Sequence, residues 1–539
     1  MSLMGNILTE ISRERERERK RKKEKTIALA IVSIAYIASR FTNLLLLPVF
    51  EDEAAYLRVA QLTRLTGDVF LPMHGPLGDL PPLFVWAVSV FLPFSSDPLV
   101  VGRSLSVAFS TLGLLGVYKI GTRLYGDSVG LVAAGMYTIA PLELFFDRQA
   151  LFDPLVAVCG IWSLYCTILL VQGFGEKKAW IGLASGMVFA PLAKWSGEIF
   201  VVLPLVTMIL FGWSKGRKSE LMKAYLTCLG IYILLFLATG DILRALGLRK
   251  YSAVHAPASN LLATFLSNIG YYGLGFGLID SFASYLTLPI AVFGVFAIAL
   301  AILRGKTSDR ILLLWLLVPL ISVTTLLAFF FSRYLVFAFA PLLILMSRYL
   351  VLASQTLNRV DIKLKGPAHR FRIGRILVVL FLFSLLLPSV GFDRAILFDP
   401  VSAPLPEADR FQYISGHPSG YAVVDAIQYL KNRAMHGSIT LIIGWENYAF
   451  PLYLSNNPNV TIIEWFRNDS IERNFPHIGE TYIIFDGVPV VDGYYGHMDQ
   501  LMHAAFLRTN PSAELVAKFD KPESFGLRGA VFVYRLNVA

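Results

Sequence analysis

Residues 26–61 read TIALAIVSIAYIASRFTNLLLLPVFEDEAAYLRVAQ: an apolar run from Thr26 to Pro48, then three consecutive acids, Glu51, Asp52 and Glu53, then a helix-like stretch. A helix crosses the hydrocarbon core of a bilayer with roughly 20 mostly apolar residues, so the run is expected to span a membrane. It is too long for the apolar core of a cleavable signal peptide and reads as a retained anchor. The thirteen residues before it (13–25, RERERERKRKKEK) carry nine basic against four acidic side chains. A basic flank marks the cytoplasmic side of a span. The three acids should therefore emerge on the outer face.

Runs of the same kind recur along most of the chain. Of its 539 residues, 55% are hydrophobic and 16% charged, against roughly 25% charged in soluble domains. Spans are expected near 26–48, 101–121, 128–146, 154–172, 178–193, 197–213, 222–240, 281–303, 311–331, 334–352 and 376–392. Two stretches, 82–95 and 261–278, are short or rich in Gly, Pro and Ser. They read as juxtamembrane or re-entrant helices, and raise the count from eleven to thirteen if they cross. Beyond residue 392 charge and Pro return to globular levels. The expected fold class is a polytopic α-helical membrane protein with a C-terminal extracytoplasmic α/β domain. Its parts are a charged cytoplasmic extension (1–25), a membrane domain (26–392) with a first outer loop at 49–100, and a soluble domain (393–539).

Charge placement agrees with an odd number of spans. Each predicted inner loop carries Lys or Arg: Arg123, Lys177 and Lys178, Lys215 to Lys218, Arg304 to Arg310, and a basic stretch at 353–375. The predicted outer loops hold Glu51, Asp52, Glu53, Asp79, Asp147 and Asp153. That asymmetry follows the positive-inside rule and accounts for the net charge of +10 without a nucleic-acid partner. Two Asn-x-Ser/Thr triplets, at Asn459 and Asn468, are compatible with an outer C-terminal domain. Cys159, Cys166 and Cys228 all fall in apolar segments, so the soluble domain is no disulfide scaffold.

The first outer loop holds most of the candidate chemistry. Acids at a helix N-terminus are stabilised by free N–H groups and the helix dipole, and capping accounts for one of the three. Another is free to act as a general base at the membrane surface. Asp79 stands before Pro81-Pro82, with His74 five residues earlier. A carboxylate and an imidazole this close suit a divalent metal, and equally suit a polar loop with one capping Asp. Arg148 lies between Asp147 and Asp153, where an interfacial Arg also snorkels. Lys194, in FAPLAKWSGEIF, stands at the outer end of a span, where the positive-inside rule disfavours Lys. Arg333-Tyr334, in FFFSRYLVFAFAP, sits at a very short outer turn. Cations there suit an anionic ligand such as a phosphate. The basic, Tyr-rich loop at 240–280 includes His255 and reads as a lipid-phosphate entrance or an interfacial belt.

Taken in order, these residues are Asp-Glu after the first span, an acid before Pro-Pro, Arg148-x-x-x-x-Asp153, Lys194 at an outer helix end, and Arg333-Tyr334 before a Pro-containing span. The set resembles the GT-C superfamily of membrane glycosyltransferases, specifically the protein O-mannosyltransferase and aminoarabinose-transferase-like group, over residues 26–390. The resemblance implies a polyprenyl- or dolichyl-phosphate sugar donor, transfer on the outer face to an acceptor hydroxyl of a protein, lipid or glycan, and inversion at the anomeric carbon. It implies Asp52 as general base, with Glu53 as its motif partner and Asp79 as the second acid. Lys194, Arg333, Tyr334 and Arg148 become donor-phosphate contacts, with Asp153 and His74 in support. A divalent metal is used in some members only, which leaves Asp79, His74 and His255 as its candidate ligands. Two departures stand out. Leu80 occupies a position where some relatives carry Lys, and the Trp-Trp-Asp motif of oligosaccharyltransferases is absent.

The outer domain reads as α/β, with a helix at 423–433 and strands at 439–443, 460–463, 482–485 and 531–534. Trp445, Tyr448 and Trp465 are candidates for stacking on carbohydrate. A transporter or flippase of lipid-linked sugars shares the spans and the charges, but it should place ionisable groups near the midplane and show internal repeats. A non-catalytic assembly subunit shares the fold but has no use for Asp52.

Overall fold

The computed structural model describes residues 2–74, 80–212, 218–238, 261–269, 277–327, 330–357, 362–363, 370–371, 373–444, 447–464, 479–487, 503, 506–508, 510–523 and 528–536. The helices are α1 (Ser2–Phe41), α2 (Glu51–Thr66), α3 (Leu71–His74), α4 (Pro82–Phe91), α5 (Pro98–Tyr125), α6 (Asp127–Thr138), α7 (Pro141–Asp147), α8 (Phe152–Gln172), α9 (Glu176–Ala193), α10 (Ile199–Phe211), α11 (Lys218–Ala238), α12 (Leu261–Asn268), α13 (Leu278–Tyr285), α14 (Thr287–Arg304), α15 (Thr307–Leu326), α16 (Val336–Leu357), α17 (Ile373–Phe398), α18 (Glu407–Arg410), α19 (Val423–Ala434) and α20 (Ala449–Leu454).

Nine of the eleven expected spans fall mainly on one helix each, while 128–146 falls on α6 and α7 and 281–303 on α13 and α14; the apolar lengths do not confirm a count of eleven. Among the described residues, five helices are long and apolar enough to cross a membrane, or six if the bent pair α6 and α7 forms one span. The chain is a multi-pass membrane protein. The first span is shorter than its apolar run: α1 is continuous with the charged extension and stops at Phe41, before the turns that carry Leu44 to Leu46. The segment expected as one span at 128–146 is broken by 61° where Pro141 begins α7. A proline cannot donate to the preceding turn and clashes with it. The stretch at 82–95 is the short helix α4, followed by a single tight turn.

Packing around α2 and α5 is close. A Cβ added to Gly102 would lie 2.6 Å from Leu57 and 2.7 Å from Ala150, so only glycine lets α5 approach both. Small residues play this part at membrane helix contacts.

After α17 the chain builds a five-stranded mixed sheet from β1 (Ile439–Ile443), β2 (Val460–Glu464), β3 (Glu480–Gly487), β4 (Glu514–Asp520) and β5 (Ala530–Leu536), in the order β2-β1-β3-β5-β4. The β1 strand is parallel to β2 and β3, whereas β5 runs antiparallel to β3 and β4. The sequence ITLII of β1 is buried throughout, as expected of a central strand covered on both faces. The edge strand β4 was not anticipated. It carries the charged residues Glu514, Lys518 and Asp520.

One apolar cluster runs without a break from the helices into the sheet, from Tyr36 and Phe50 to Tyr482 and Val533. Polar ties reinforce the junction. The Glu51 N–H donates to the Pro418 carbonyl at 3.0 Å, and the Gln61 amide donates to the Leu452 carbonyl at 3.1 Å.

Candidate active site

The three acids that open α2 take different roles. The Phe50 N–H donates to Glu53 Oε2 at 3.0 Å, which closes the first turn of the helix. Arg103 of α5 grips the same carboxylate in a fork, Nε to Oε1 at 2.9 Å and Nη2 to Oε2 at 2.7 Å. The Ala150 N–H donates to Oε1 at 2.7 Å. Glu53 is 0% exposed. These donors engage both oxygens of Glu53. The remaining Arg103 donors reach the carbonyls of Leu44 and Leu47 at 2.8 Å and Pro48 at 3.1 Å. The pair thus binds the end of the first anchor, the start of α2, α5 and the turn before α8 into one joint.

That joint fixes where Asp52 points. Its Oδ2 lies 2.5 Å from Nη1 of Arg333, with the side chains 33% and 12% exposed. Arg333 comes from a tight turn, Ser332–Leu335, at the head of α16. Beside this pair Lys194, the residue that ends α9, is salt-bridged to Asp153 in the first turn of α8. The Lys194 ammonium stands 4.3 Å from the ring centre of Tyr334. The Arg333 guanidinium lies 4.9 Å from the ring of Phe331 and 5.8 Å from that of Phe50. Tyr56, one turn after Asp52, stacks on Phe152 at 3.8 Å. Burial pulls the Lys194 ammonium below the usual lysine range; Asp153 opposes this and Arg333 adds to it. Two cations and two carboxylates from four separate elements therefore share one partly open layer. Such a site can hold an anion on the cations and accept a proton on a carboxylate.

The other expected residues lie elsewhere. Arg148 is not brought to the cluster: its donors go to the carbonyls of Ser39, at 3.4 Å, and Asn43, at 2.8 Å, and so it closes the C-terminal end of α1. His74 is mostly exposed and lies 3.4 Å from Asp68. Asp79, His255, Trp445, Trp465 and Asn468 lie outside the described residues. Among the described residues no three His, Cys, Asp or Glu side chains gather as a metal site would require.

Sequence reasoning passed over Arg103 and Tyr56, although both carried signals. Arg103 is a charge inside an apolar run, and Tyr56 shares the face of Asp52 at a spacing of four. It also passed over Asp409 and Tyr413, which reach the site from the segment before the sheet. The Tyr285 hydroxyl donates to Asp409 Oδ2 at 2.7 Å, and the Tyr413 ring lies 4.4 Å from that of Phe50.

The family model for dolichyl-phosphate-mannose-protein mannosyltransferases matches residues 79–239. The fold is similar to that of ArnT from Cupriavidus metallidurans bound to undecaprenyl phosphate, with a TM-score of 0.58, 12% identity, and coverage of 95% of this chain and 98% of that one. The chain resembles the GT-C superfamily of membrane glycosyltransferases. A second GT-C likeness is the archaeal oligosaccharyltransferase AglB from Archaeoglobus fulgidus, in complex with an inhibitory peptide and a dolichol-phosphate. Its TM-score is 0.55 at 12% identity, over 82% of this chain and 65% of that one. No curated protein matches the chain. The matched segment 79–239 contains Asp153 and Lys194 but neither Asp52 nor Arg333. Within the GT-C fold, it is the structure that joins the two halves of the cluster.

Proposed function

We propose that this chain is a glycosyltransferase that moves a sugar from a polyprenyl- or dolichyl-phosphate donor to an acceptor hydroxyl at the outer face of the membrane. In this reading the chain spans the membrane eleven times, with its N-terminus in the cytoplasm and the sheet domain outside. The observation that carries it is the meeting of Asp52 with Arg333, residues 281 positions apart, beside the Lys194–Asp153 pair. Likeness to structures that hold undecaprenyl phosphate and dolichol-phosphate supports the choice of a lipid phosphate as the anion.

The step is a single displacement. The acceptor oxygen attacks the anomeric carbon, and Asp52 takes its proton. The bond from that carbon to the phosphate oxygen breaks, and the electron pair leaves with the polyprenyl phosphate. Arg333 and Lys194 neutralise the departing anion, and Tyr334 lines their side of the site. Attack from the face opposite the leaving group inverts the anomeric centre. Base and leaving group must then flank the sugar. In this reading the donor phosphate takes the Arg333 guanidinium on binding, and the ion pair between Asp52 and Arg333 opens. Asp79 is assigned to the acceptor side, following the resemblance.

The test is Asp52→Asn in the purified full-length protein with a polyprenyl-phosphate sugar. General-base catalysis contributes about 10²–10⁴ in rate, and a loss of that order is expected in kcat with the fold intact. Transfer at the wild-type rate by the folded variant would remove the base and the mechanism with it.

A further inference from the structure

Between α17 and the sheet, the chain passes through α18 and then a wide π-helical turn, Phe411–Ser415, closed by the Gly416 N–H on the Phe411 carbonyl at 2.7 Å. Single π turns in helices are frequent at functional sites. Here the segment presents Asp409, Tyr413 and His417, spaced by four, to the membrane helices. Asp409 accepts from Tyr285 at 2.7 Å. His417 Nε2 lies 3.6 Å from Glu51 Oε2. Tyr413, between them, packs its ring at 4.4 Å from Phe50 and 5.0 Å from Phe145, and Phe50 in turn faces the Arg333 guanidinium at 5.8 Å.

The Tyr413 hydroxyl has no such tie. The residue is 2% exposed, and among the described residues its hydroxyl has no hydrogen-bond partner. A buried donor left unmade is costly and calls for an explanation. Burial holds the phenol well above the usual tyrosine range, opposed by Arg333 and reinforced by Asp409, Asp52 and Asp153. It therefore keeps its proton and remains available as a donor, on a ring packed against Phe50. The backbone that carries it is fixed from behind. Lys521, after β4, bonds Asp486 of β3 at 2.7 Å and donates to the carbonyls of Gly416, His417 and Ser419 at 2.9–3.1 Å.

We infer that Tyr413 is a ligand-binding residue of the site, its hydroxyl donating to an oxygen of the lipid phosphate that Arg333 holds. The outer domain then contributes directly to the anion site and does more than cover it. The inference rests on the proposed lipid-phosphate reading.

The experiment compares full-length wild-type protein with Tyr413→Phe, which removes the hydroxyl and leaves the ring on Phe50. Binding of undecaprenyl phosphate and of undecaprenol, which lacks the anion, is measured together with the thermal midpoint. A hydrogen bond to a charged group corresponds to about tenfold to a hundredfold in affinity. The expected result is a loss of that size for undecaprenyl phosphate, unchanged weak retention of undecaprenol, and a ligand-free midpoint equal to or above wild type, because an unmade hydrogen bond has been removed. A merely structural tyrosine would lower the midpoint and leave binding alone, which would overturn the inference. Wild-type binding matched by the variant would also overturn it, with the lipid-phosphate reading left standing. Wild-type protein that shows no preference for the phosphate over the alcohol would overturn both.

Discussion

Glu53 and Arg103 show what a charged pair does when it is withdrawn from solvent on every side. Two buried ions repay their desolvation only when the geometry is good and the leftover donors are met, and here the fork, two backbone N–H groups and three carbonyls meet that condition. Removing one partner strands the other. Glu53→Ala and Arg103→Ala should each cost about 3–5 kcal/mol, with the double variant well short of the sum, as seen in thermal midpoints of the purified protein. Singles as stable as wild type would deny the pair its structural role. Arg333 behaves differently, because its planar fork is suited to a phosphate. Arg333→Lys keeps the charge but loses the paired donors, so the donor KM should rise by about tenfold while stability holds. An unchanged KM would mean that the guanidinium never meets the donor. From sequence alone Asp52 and Arg333 could be singled out, because charges beside apolar runs need a reason, and the structure brings the two together. The division of labour between Asp52 and Glu53 was not legible. Adjacent acids look alike until the fold gives Glu53 to Arg103 and Asp52 to Arg333.

At the scale of the element, helices could be read wherever hydropathy was continuous, and the reading failed where backbone chemistry cut across it. Pro141 broke one expected span in two, and α1 ended before its apolar run did. The segment 407–419 carried no signal at all, since it answers to tertiary contacts with Phe50, Tyr285 and Lys521. Asp409 in that segment yields a pH prediction. Burial raises its carboxyl from 3.8 to about 6, despite hydrogen bonds from Tyr285 and Ser332 and the nearby Arg333. A raised folded-state value means that the protonated form is favoured by folding. Its contribution is full below about pH 4 and is lost as the pH climbs to about 6. A shift of this size corresponds to about 3 kcal/mol. Asp409→Asn should flatten the decline of the thermal midpoint over that window and leave the midpoint above wild type at neutral pH. A slope identical to wild type would place the titration on another group.

For the whole molecule, the composition announced a membrane protein with a soluble tail, and four of the five sheet strands lay on readable apolar runs. What it could not announce was that the two parts share a core, because contacts such as Phe50 with Tyr413 join positions without local pattern. Lys521 concentrates that coupling, since one ammonium holds Asp486 of the sheet and three carbonyls of the segment that packs on the candidate site. Lys521→Met should therefore act in two separable ways. It strands the buried Asp486 carboxylate, at a cost of about 3–5 kcal/mol, and it releases the Gly416–Ser419 backbone. Adding Asp486→Asn removes the stranded charge and should restore much of the thermal midpoint. It does nothing for the three carbonyls, so donor binding should stay weakened in the double variant even as its stability returns. Recovery of both together would show that the sheet supports the fold alone and that the membrane helices build the site without it.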